Sequence, residues 1–336
     1  MSASPVIDEP PHGSPIGLAK PRSRRPLWRQ RLPDGIFEAI VMACGLAVIG
    51  AVGLVFYELV RGSLLTLEKF SWHFFTGSNW DPVAGDFGAL PFVYGTLVSS
   101  ALALLLAAPL GVGVAVFTTE MCPRAMRASF SFVTELLAAI PSVIYGLWAM
   151  FVLVPLLRNY VEPWLGRNFG WTGLFSGTPF GIGMLAAGLI LAIMVVPIIS
   201  SITREILTSV PQAQREGVLA LGATRWEMIR LGVLRNARAG ILGAIILGLG
   251  RALGETIAVS MVIGNRPEIS RSLFAPGHTM ASVLALEFSE AGDPLYLSAL
   301  MEVGLSLFLV TFVVNALARL LVWVVTRGLP AAAHAQ

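Results

Sequence analysis

Two charged residues lie within an otherwise uncharged apolar stretch of this sequence, and their types suit anion chemistry. Arg251 and Glu255 interrupt the run 239–265 and stand four positions apart. A charge at the centre of a membrane helix costs about 2.5–3.5 kcal/mol on insertion scales, so charges remain there where they pair or bind a ligand. A guanidinium holds phosphate oxygens through two parallel hydrogen bonds. Two interpretations stay open: Arg251 meets a passing anion, or it forms a neutral i, i+4 pair with Glu255.

One face of the same run consists of small residues. On an ideal helix with about 100° per residue, the charged pair shares an arc of about 80° with four of them. These four are Gly240, Ala244, Gly248 and Ala258. Such a face lets another helix approach closely, or it borders a transport path. Ser142, Thr256 and Ser260 are weaker path candidates, because hydroxyls also bond to nearby helix carbonyls.

The segment from about 204 to 237 is the most polar part of the chain after the N-terminal tail. Pro211 is suited to open a helix, and Gly222 permits the positive φ that ends one. Thr224 and Glu227 then have the spacing of a capping box, which predicts a second helix. We therefore expect residues 211–235 to form a compact helix–turn–helix, called here the knob.

The composition identifies the elements that carry these residues. Hydrophobic residues make up 55% of the 336 positions and charged residues only 13%, about half the share of a soluble protein. A membrane helix needs about 20 apolar residues, which predicts an all-α polytopic membrane protein with six spans. We place the spans near 36–58, 93–117, 133–156, 181–203, 238–264 and 298–325.

Basic residues set the orientation of the spans. Sixteen fall on the side shared by both termini and six on the other, so both termini are expected in the cytoplasm. Aromatic residues crowd the opposite loops, among them Trp72, Phe74 and Trp80, and suit the membrane interface. Residues 1–34 hold seven prolines and six basic residues, which predicts a disordered basic tail. The transmembrane domain would span 35–328, followed by a C-terminal tail at 329–336.

The chain has no sequence signature of an enzyme. A P-loop requires a lysine in a glycine-rich loop, and the only lysines, Lys20 and Lys69, lie outside such loops. Cys44 and Cys122 have no pairing or metal-binding pattern. We therefore expect no catalytic residue, metal or cofactor in this chain, so that any ATP and magnesium must be bound by a partner ATPase.

The knob resembles the EAA loop of ABC-importer permeases. That pattern reads Glu-Ala-Ala, three residues, Gly, nine residues, Ile-x-Leu-Pro, and Glu216, Gly222 and Leu234 match it. Gly217, Val218, Gly232 and Arg235 depart from it. The resemblance implies that the knob docks in a groove of an ATPase subunit. It assigns the coupling role to Glu216, Gly222, Ala223, Thr224, Arg225 and Glu227.

Longer runs resemble the PstC family of phosphate-importer permeases. They cover 139–146, 215–229, 248–256 and 273–277, whereas the tail and the 70–90 loop match no motif. The resemblance implies the transmembrane domain of a type I ABC importer in the prokaryotic plasma (inner) membrane, acting by alternating access. It implies a second, PstA-like permease, a PstB-like ATPase dimer and an extracytoplasmic PstS-like phosphate-binding protein, with membrane lipid around the spans and no nucleic acid. It also marks Arg251 and Glu255 as functionally important, with Glu255 holding Arg251 in place or pairing with a basic residue of the second permease.

Three other functions fit parts of the pattern. A permease for another oxyanion, such as sulfate or molybdate, would carry the same arginine and knob. A stand-alone secondary transporter would use an ion gradient and have no ATPase partner. A non-transporting membrane anchor would leave both the charged span and the knob without a purpose.

Overall fold

The computed structural model describes residues 28–326 of the chain, with side-chain environments from 35 to 324. The first helix, α1, runs from Trp28 to Gly62. The chain divides into two compact units, residues 1–54 and 55–336, and α1 passes from the first into the second. Residues 1–27 of the predicted tail lie outside the described residues, as does the predicted C-terminal tail. The helix begins at Trp28, earlier than the predicted end of the tail at residue 34.

The segment between the first two spans forms a small packed layer. It contains α2 (Leu64–Phe70), α3 (His73–Thr76) and an antiparallel hairpin of β1 (Trp80–Asp81) and β2 (Asp86–Phe87). Phe74 and Trp80 are buried in an aromatic cluster, whereas Trp72 is 83% exposed. The expectation of an interfacial belt therefore fails for Phe74 and Trp80, because the hairpin folds them against the protein.

The second and third spans contain irregular turns. Helix α4 (Leu90–Val116) continues through a π-helical turn at Phe117–Met121. Then follow α5 (Arg124–Ala139), α6 (Ser142–Trp148), α7 (Val154–Leu156) and α8 (Glu162–Phe169), with a 3₁₀ turn at Gly170–Thr172. Two π-helical turns, Ala149–Leu153 and Leu157–Val161, separate α6 from α7 and α7 from α8.

The break between α5 and α6 corrects the position of the third span. Ile140 has φ −67° and ψ 129°, an extended conformation, and Pro141 follows it. Proline disfavours the helical conformation of the residue before it, so the predicted span at 133–156 is divided there. The helical path long enough to cross a membrane is instead Ser142–Thr172.

The C-terminal half holds the last three spans. Its elements are α9 (Met184–Ser209), α10 (Gln212–Ala220), α11 (Arg225–Glu227), a π-helical segment at Met228–Leu234, α12 (Arg235–Gly254), α13 (Ile257–Ser260), α14 (Met280–Glu287) and α15 (Pro294–Thr326). Six helical segments of the described chain are long and apolar enough to cross a membrane, which confirms the predicted number. The fifth, Arg225–Gly254, ends ten residues before the predicted 264.

Helix α9 lies at the centre of the packed core. Ile190, Leu191, Val195 and Ile199 are nearly or fully buried there, among residues of α4, α6 and α12. Because lipid is as apolar as a protein core, close van der Waals packing rather than escape from water holds such helices together. The core therefore holds α4 and α12 against α9, and α9 and α12 are the two helices that are continuous with the knob.

Candidate functional site

Arg251 and Glu255 do not lie on one continuous helix. Helix α12 ends at Gly254, and Glu255 has φ −72° and ψ 126°, which is extended backbone. The ideal-helix geometry that would place their side chains on adjacent turns therefore does not apply. Arg251 is exposed and makes no hydrogen bond or ion pair within residues 28–326. The Glu255 carboxylate instead accepts a long bond, 3.5 Å, from the backbone N–H of Ala258.

The small face of α12 divides into a packed part and an open part. Gly248 lies against α9, where an added Cβ would stand 2.8 Å from a methyl of Val195. Gly240 is packed in the same way against Ile206. At Gly243 and Gly250, in contrast, an added Cβ would meet nothing within 4 Å. The prediction of close helix approach is thus met within the chain itself for the first two glycines.

The open part of the face lines a groove between α12 and α15. The groove has a volume of about 990 Å³, and its walls are mostly apolar. Gly250 and Gly254 contribute from α12, while Asn315 and Arg319 contribute polar atoms from α15. This surface is available to another helix or to a transport path.

Two interrupted helices meet after the break at Glu255. Gly146 of α6 lies so close to α13 that an added Cβ would stand 3.1 Å from the Cα of Ala258. The hydroxyl of Tyr145 donates a 2.8 Å hydrogen bond to the Leu137 carbonyl across the α5–α6 break. Ser142, at the start of α6, is half-buried.

The other two hydroxyl candidates bond locally. Thr256 donates to the Gly254 carbonyl at 3.2 Å, and Ser260 donates to the Ile257 carbonyl at 2.9 Å. In such local bonds the hydroxyl proton is already donated, whereas the hydroxyl oxygen can still accept a hydrogen bond. Both residues are half-buried around the break that follows Glu255.

The knob has the predicted helix–turn–helix form. Gly222 has φ 83°, and its N–H donates to the Leu219 carbonyl at 3.0 Å, which ends α10. The hydroxyl of Thr224 accepts from the N–H of Glu227 at 3.3 Å, and the Thr224 N–H donates to the Glu227 carboxylate at 2.8 Å. The predicted glycine turn and capping box are both present.

Most of the residues assigned to coupling are on the surface of the knob. Glu216, Gly222, Thr224, Arg225 and Glu227 are exposed, and Ala223 is half-buried. Two large apolar side chains are exposed beside them, Leu221 at 89% and Trp226 at 60%. Exposed apolar residues rimmed by charges are typical of a protein-docking surface.

Sequence reasoning missed a polar network on the side opposite the knob. The carboxylate of Glu287 accepts hydrogen bonds from the indole N–H of Trp80 at 2.9 Å and the hydroxyl of Tyr296 at 2.6 Å. His278 is buried, with its Nδ1 2.7 Å from the Ser282 hydroxyl. Burial lowers the pKa of His278 to about 4. The Nε2 of His278 lies 3.8 Å from the Oε1 of Glu287, beyond hydrogen-bond distance.

A second missed feature lies in α15. Glu302 is fully buried, and neither of its carboxyl oxygens has a hydrogen-bond partner among the described residues. In the sequence it only interrupts an apolar run. Burial of this residue could not be read from that pattern, because it depends on how other elements pack against α15.

The fold defines the class of protein. A chain of the crystal structure of a bacterial alginate ABC transporter, in complex with an alginate pentasaccharide-bound periplasmic protein, aligns with a TM-score of 0.59. The alignment covers 90% of this chain and 99% of that chain at 18% identity, which establishes a shared fold. Six spans with a helical knob before the fifth therefore form a fold that this chain shares with a chain of that ABC transporter.

Sequence relationships define the family. Residues 107–326 match the family described as binding-protein-dependent transport system inner membrane component. The phosphate transport system permease protein PstC of Mesorhizobium japonicum is 46% identical over 87% of this chain and 90% of its own length. The corresponding protein of Haemophilus influenzae is 42% identical over 89% of this chain and 96% of its own length.

This chain belongs to the family of binding-protein-dependent transport permeases. It is accordingly a multi-pass protein of the inner membrane and a transport subunit rather than an enzyme. Permeases of this family work with an ATPase and a substrate-binding protein.

Proposed function

We propose that this chain is the permease subunit of an ATP-driven phosphate importer. One observation carries the proposal: the 46% identity to a phosphate transport permease spans 90% of that protein's length. The unpaired Arg251 supports it, because a guanidinium without an internal partner is free to bind an oxyanion. Glu255, which is half-buried and does not pair with Arg251, would meet a basic residue of the second permease.

The partners in this proposal divide the work of transport. A PstS-like protein delivers phosphate outside, and a PstA-like permease completes the path. A PstB-like ATPase dimer binds ATP and magnesium, so this chain holds no cofactor. Both termini lie in the cytoplasm with the knob. The exposed Leu221 and Trp226 support docking of the knob to that ATPase.

The spans open alternately to each side in this mechanism. Closure of the ATPase dimer on ATP moves the knob, and α12 moves with it because the two are continuous through the π-helical segment. Opening outward then exposes Arg251, with Ser142, Thr256 and Ser260 as further candidates for contact with phosphate.

Uptake by the purified complex tests the proposal. Proteoliposomes containing both permeases and the ATPase, with ATP inside and the binding protein outside, should accumulate radiolabelled phosphate. A tenfold excess of sulfate or molybdate should leave the uptake rate unchanged. Transport of sulfate or molybdate in place of phosphate would contradict the choice of substrate, and uptake without ATP would contradict the class of transporter.

A further inference from the structure

We infer that an ion pair between Arg215 and Glu120 joins the knob to the second span and transmits the movement of the ATPase to it. The inference rests on the proposed function for its ATP-driven step. The two residues are 95 positions apart, so neither the EAA-like motif nor the apolar run of the second span indicates the contact. They are positioning residues, because both lie far from the Arg251 region along the spans.

The ion pair is well formed and mostly shielded from solvent. The Arg215 Nη2 lies 2.9 Å from the Glu120 Oε1, and the Arg215 Nε also donates to that oxygen at 3.3 Å. The exposed fractions are 14% for the Arg215 side chain and 8% for that of Glu120. Shielding of this degree makes the pair stronger and less sensitive to salt than an exposed one.

The same guanidinium also holds the end of the fourth span. Its Nη1 donates to the Val210 carbonyl at 2.5 Å, and its Nη2 donates to the Leu207 carbonyl at 2.8 Å. The Leu207 carbonyl belongs to the last turn of α9 and Val210 follows directly after it, where the end of a helix leaves acceptors without helical partners. One side chain of α10 therefore binds the ends of both the second and the fourth spans.

A second arginine of the knob reaches the same turn. Arg225, in the other helix of the knob, donates to the backbone carbonyl of Glu120 at 2.7 Å. Arg127 of α5 donates to the neighbouring Thr119 carbonyl at 2.6 Å. The acceptors lie in the π-helical turn at Phe117–Met121, a geometry that is rare and frequent at functional sites. Both helices of the knob thus bind to one turn of the second span.

This arrangement provides a mechanical connection beyond chain continuity. The knob is covalently continuous with the fourth and fifth spans, but it reaches the second span only through side chains. Helix α4 packs closely on α9, where an added Cβ at Gly111 would stand 2.9 Å from Ile199. When the knob moves, the ion pair between Arg215 and Glu120 therefore moves α4 together with α9. The packing between these two helices stays intact.

Glu120→Gln tests this connection, with Glu135→Gln as the matched control. Glu135, like Glu120, forms an ion pair with an arginine, in this case Arg204 of α9 at 2.6 Å. Neither Glu135 nor Arg204 belongs to the knob. In the reconstituted four-component complex, phosphate transported per ATP hydrolysed should fall at least tenfold for Glu120→Gln. ATPase co-purification and the rate of ATP hydrolysis should stay within about twofold of wild type. Glu135→Gln should leave all three values unchanged.

Other outcomes are informative as well. An unchanged ratio of transport to hydrolysis in Glu120→Gln would overturn the inference, and so would an equal fall in Glu135→Gln. If Glu120→Gln does not assemble, Arg215→Gln replaces it, because a glutamine amide can still donate a hydrogen bond but carries no charge for an ion pair with Glu120. A wild-type ratio in Arg215→Gln would then overturn the inference. Failure of the wild-type complex to transport phosphate would instead count against the proposed function.

Discussion

Arg251 is the residue on which the transport chemistry depends most directly. It is exposed, without a hydrogen bond or ion pair in the described part of the chain, and lies in the last turn of α12, just before the break at Glu255. The cost of a charge inside a membrane requires a compensating contact, which a passing anion or a partner subunit supplies. Glu255 is separated from it by the end of α12, so removal of Arg251 should not leave an internal ion pair broken.

Arg251→Ala should therefore abolish phosphate uptake while the complex still assembles. Arg251→Lys should keep the charge but lose paired hydrogen bonds, reducing uptake about tenfold or more. Uptake and co-purification of the ATPase measure the two properties separately. Wild-type uptake by Arg251→Ala would remove this residue from the path.

His278 gives the chain a defined response to acid. Its folded pKa of about 4 lies below the usual 6.5, because burial disfavours the charged ring. In acid the unfolded chain therefore binds a proton at His278 before the folded chain does. The free energy of unfolding is at its full value above about pH 6.5 and falls as the pH is lowered towards 4. The difference of about 2.5 units corresponds to about 3 kcal/mol.

The melting temperature of the detergent-solubilised chain should therefore fall between pH 6.5 and 4. His278→Gln should be less stable at neutral pH but should lose less on acidification. Thermal unfolding at closely spaced pH values measures both. Equal pH dependence in wild type and His278→Gln would assign the acid response to other groups.

At the scale of elements, breaks in helices carry more of the function than the helices themselves. The break at Ile140 and Pro141 starts α6, and the break at Glu255 starts α13. The knob likewise depends on the turn at Gly222 between two short helices. Backbone groups released at such breaks bond to side chains or to a ligand, which helices of regular geometry cannot offer.

Two glycines of the knob, Gly222 and Gly217, give a matched pair of variants. Gly222 has φ 83°, so Gly222→Ala should cost about 1 kcal/mol and loosen the coupling of ATP hydrolysis to transport. Gly217 lies within α10 with open space around it, so Gly217→Ala should stabilise that helix by about 0.5–1 kcal/mol. Thermal unfolding and the ratio of transport to hydrolysis measure these effects. Stabilisation by Gly222→Ala would contradict the left-handed turn.

At the scale of the whole molecule, the orientation in the membrane decides which surface meets which partner. The positive residues predict that the knob lies in the cytoplasm and the 59–89 segment outside. Among the described residues, Val83 in that segment and Leu221 in the knob are highly exposed, at 98% and 89%.

Single cysteines at these two positions test the orientation. In a chain whose Cys44 and Cys122 are replaced by serine, Val83→Cys should react with a membrane-impermeant maleimide in spheroplasts. Leu221→Cys should react only after the membrane is permeabilised. Labelling by mass shift on a gel separates the two states. The reverse pattern would invert the topology and place the knob away from a cytoplasmic ATPase.

Local sequence was sufficient for features that depend on near neighbours. The capping box of Thr224 and Glu227, the turn at Gly222 and the number of spans all follow from residue type, short spacing and hydrophobic length. The predicted third span begins too early. The apolar run is continuous there, but Pro141 breaks the helix at the residue before it. The fifth was extended past Gly254 because an ideal helix was assumed where the backbone becomes extended.

By itself the sequence determined six spans and a helix–turn–helix knob, because burial in lipid demands long apolar helices and turn residues act within a few positions. Only the tertiary structure decided which charges meet. Arg215 binds Glu120 across 95 positions, whereas Arg251 and Glu255, four positions apart, do not pair. The physical reason is that an ion pair depends on the distance and direction between side chains, which packing of distant elements and a single backbone break both change.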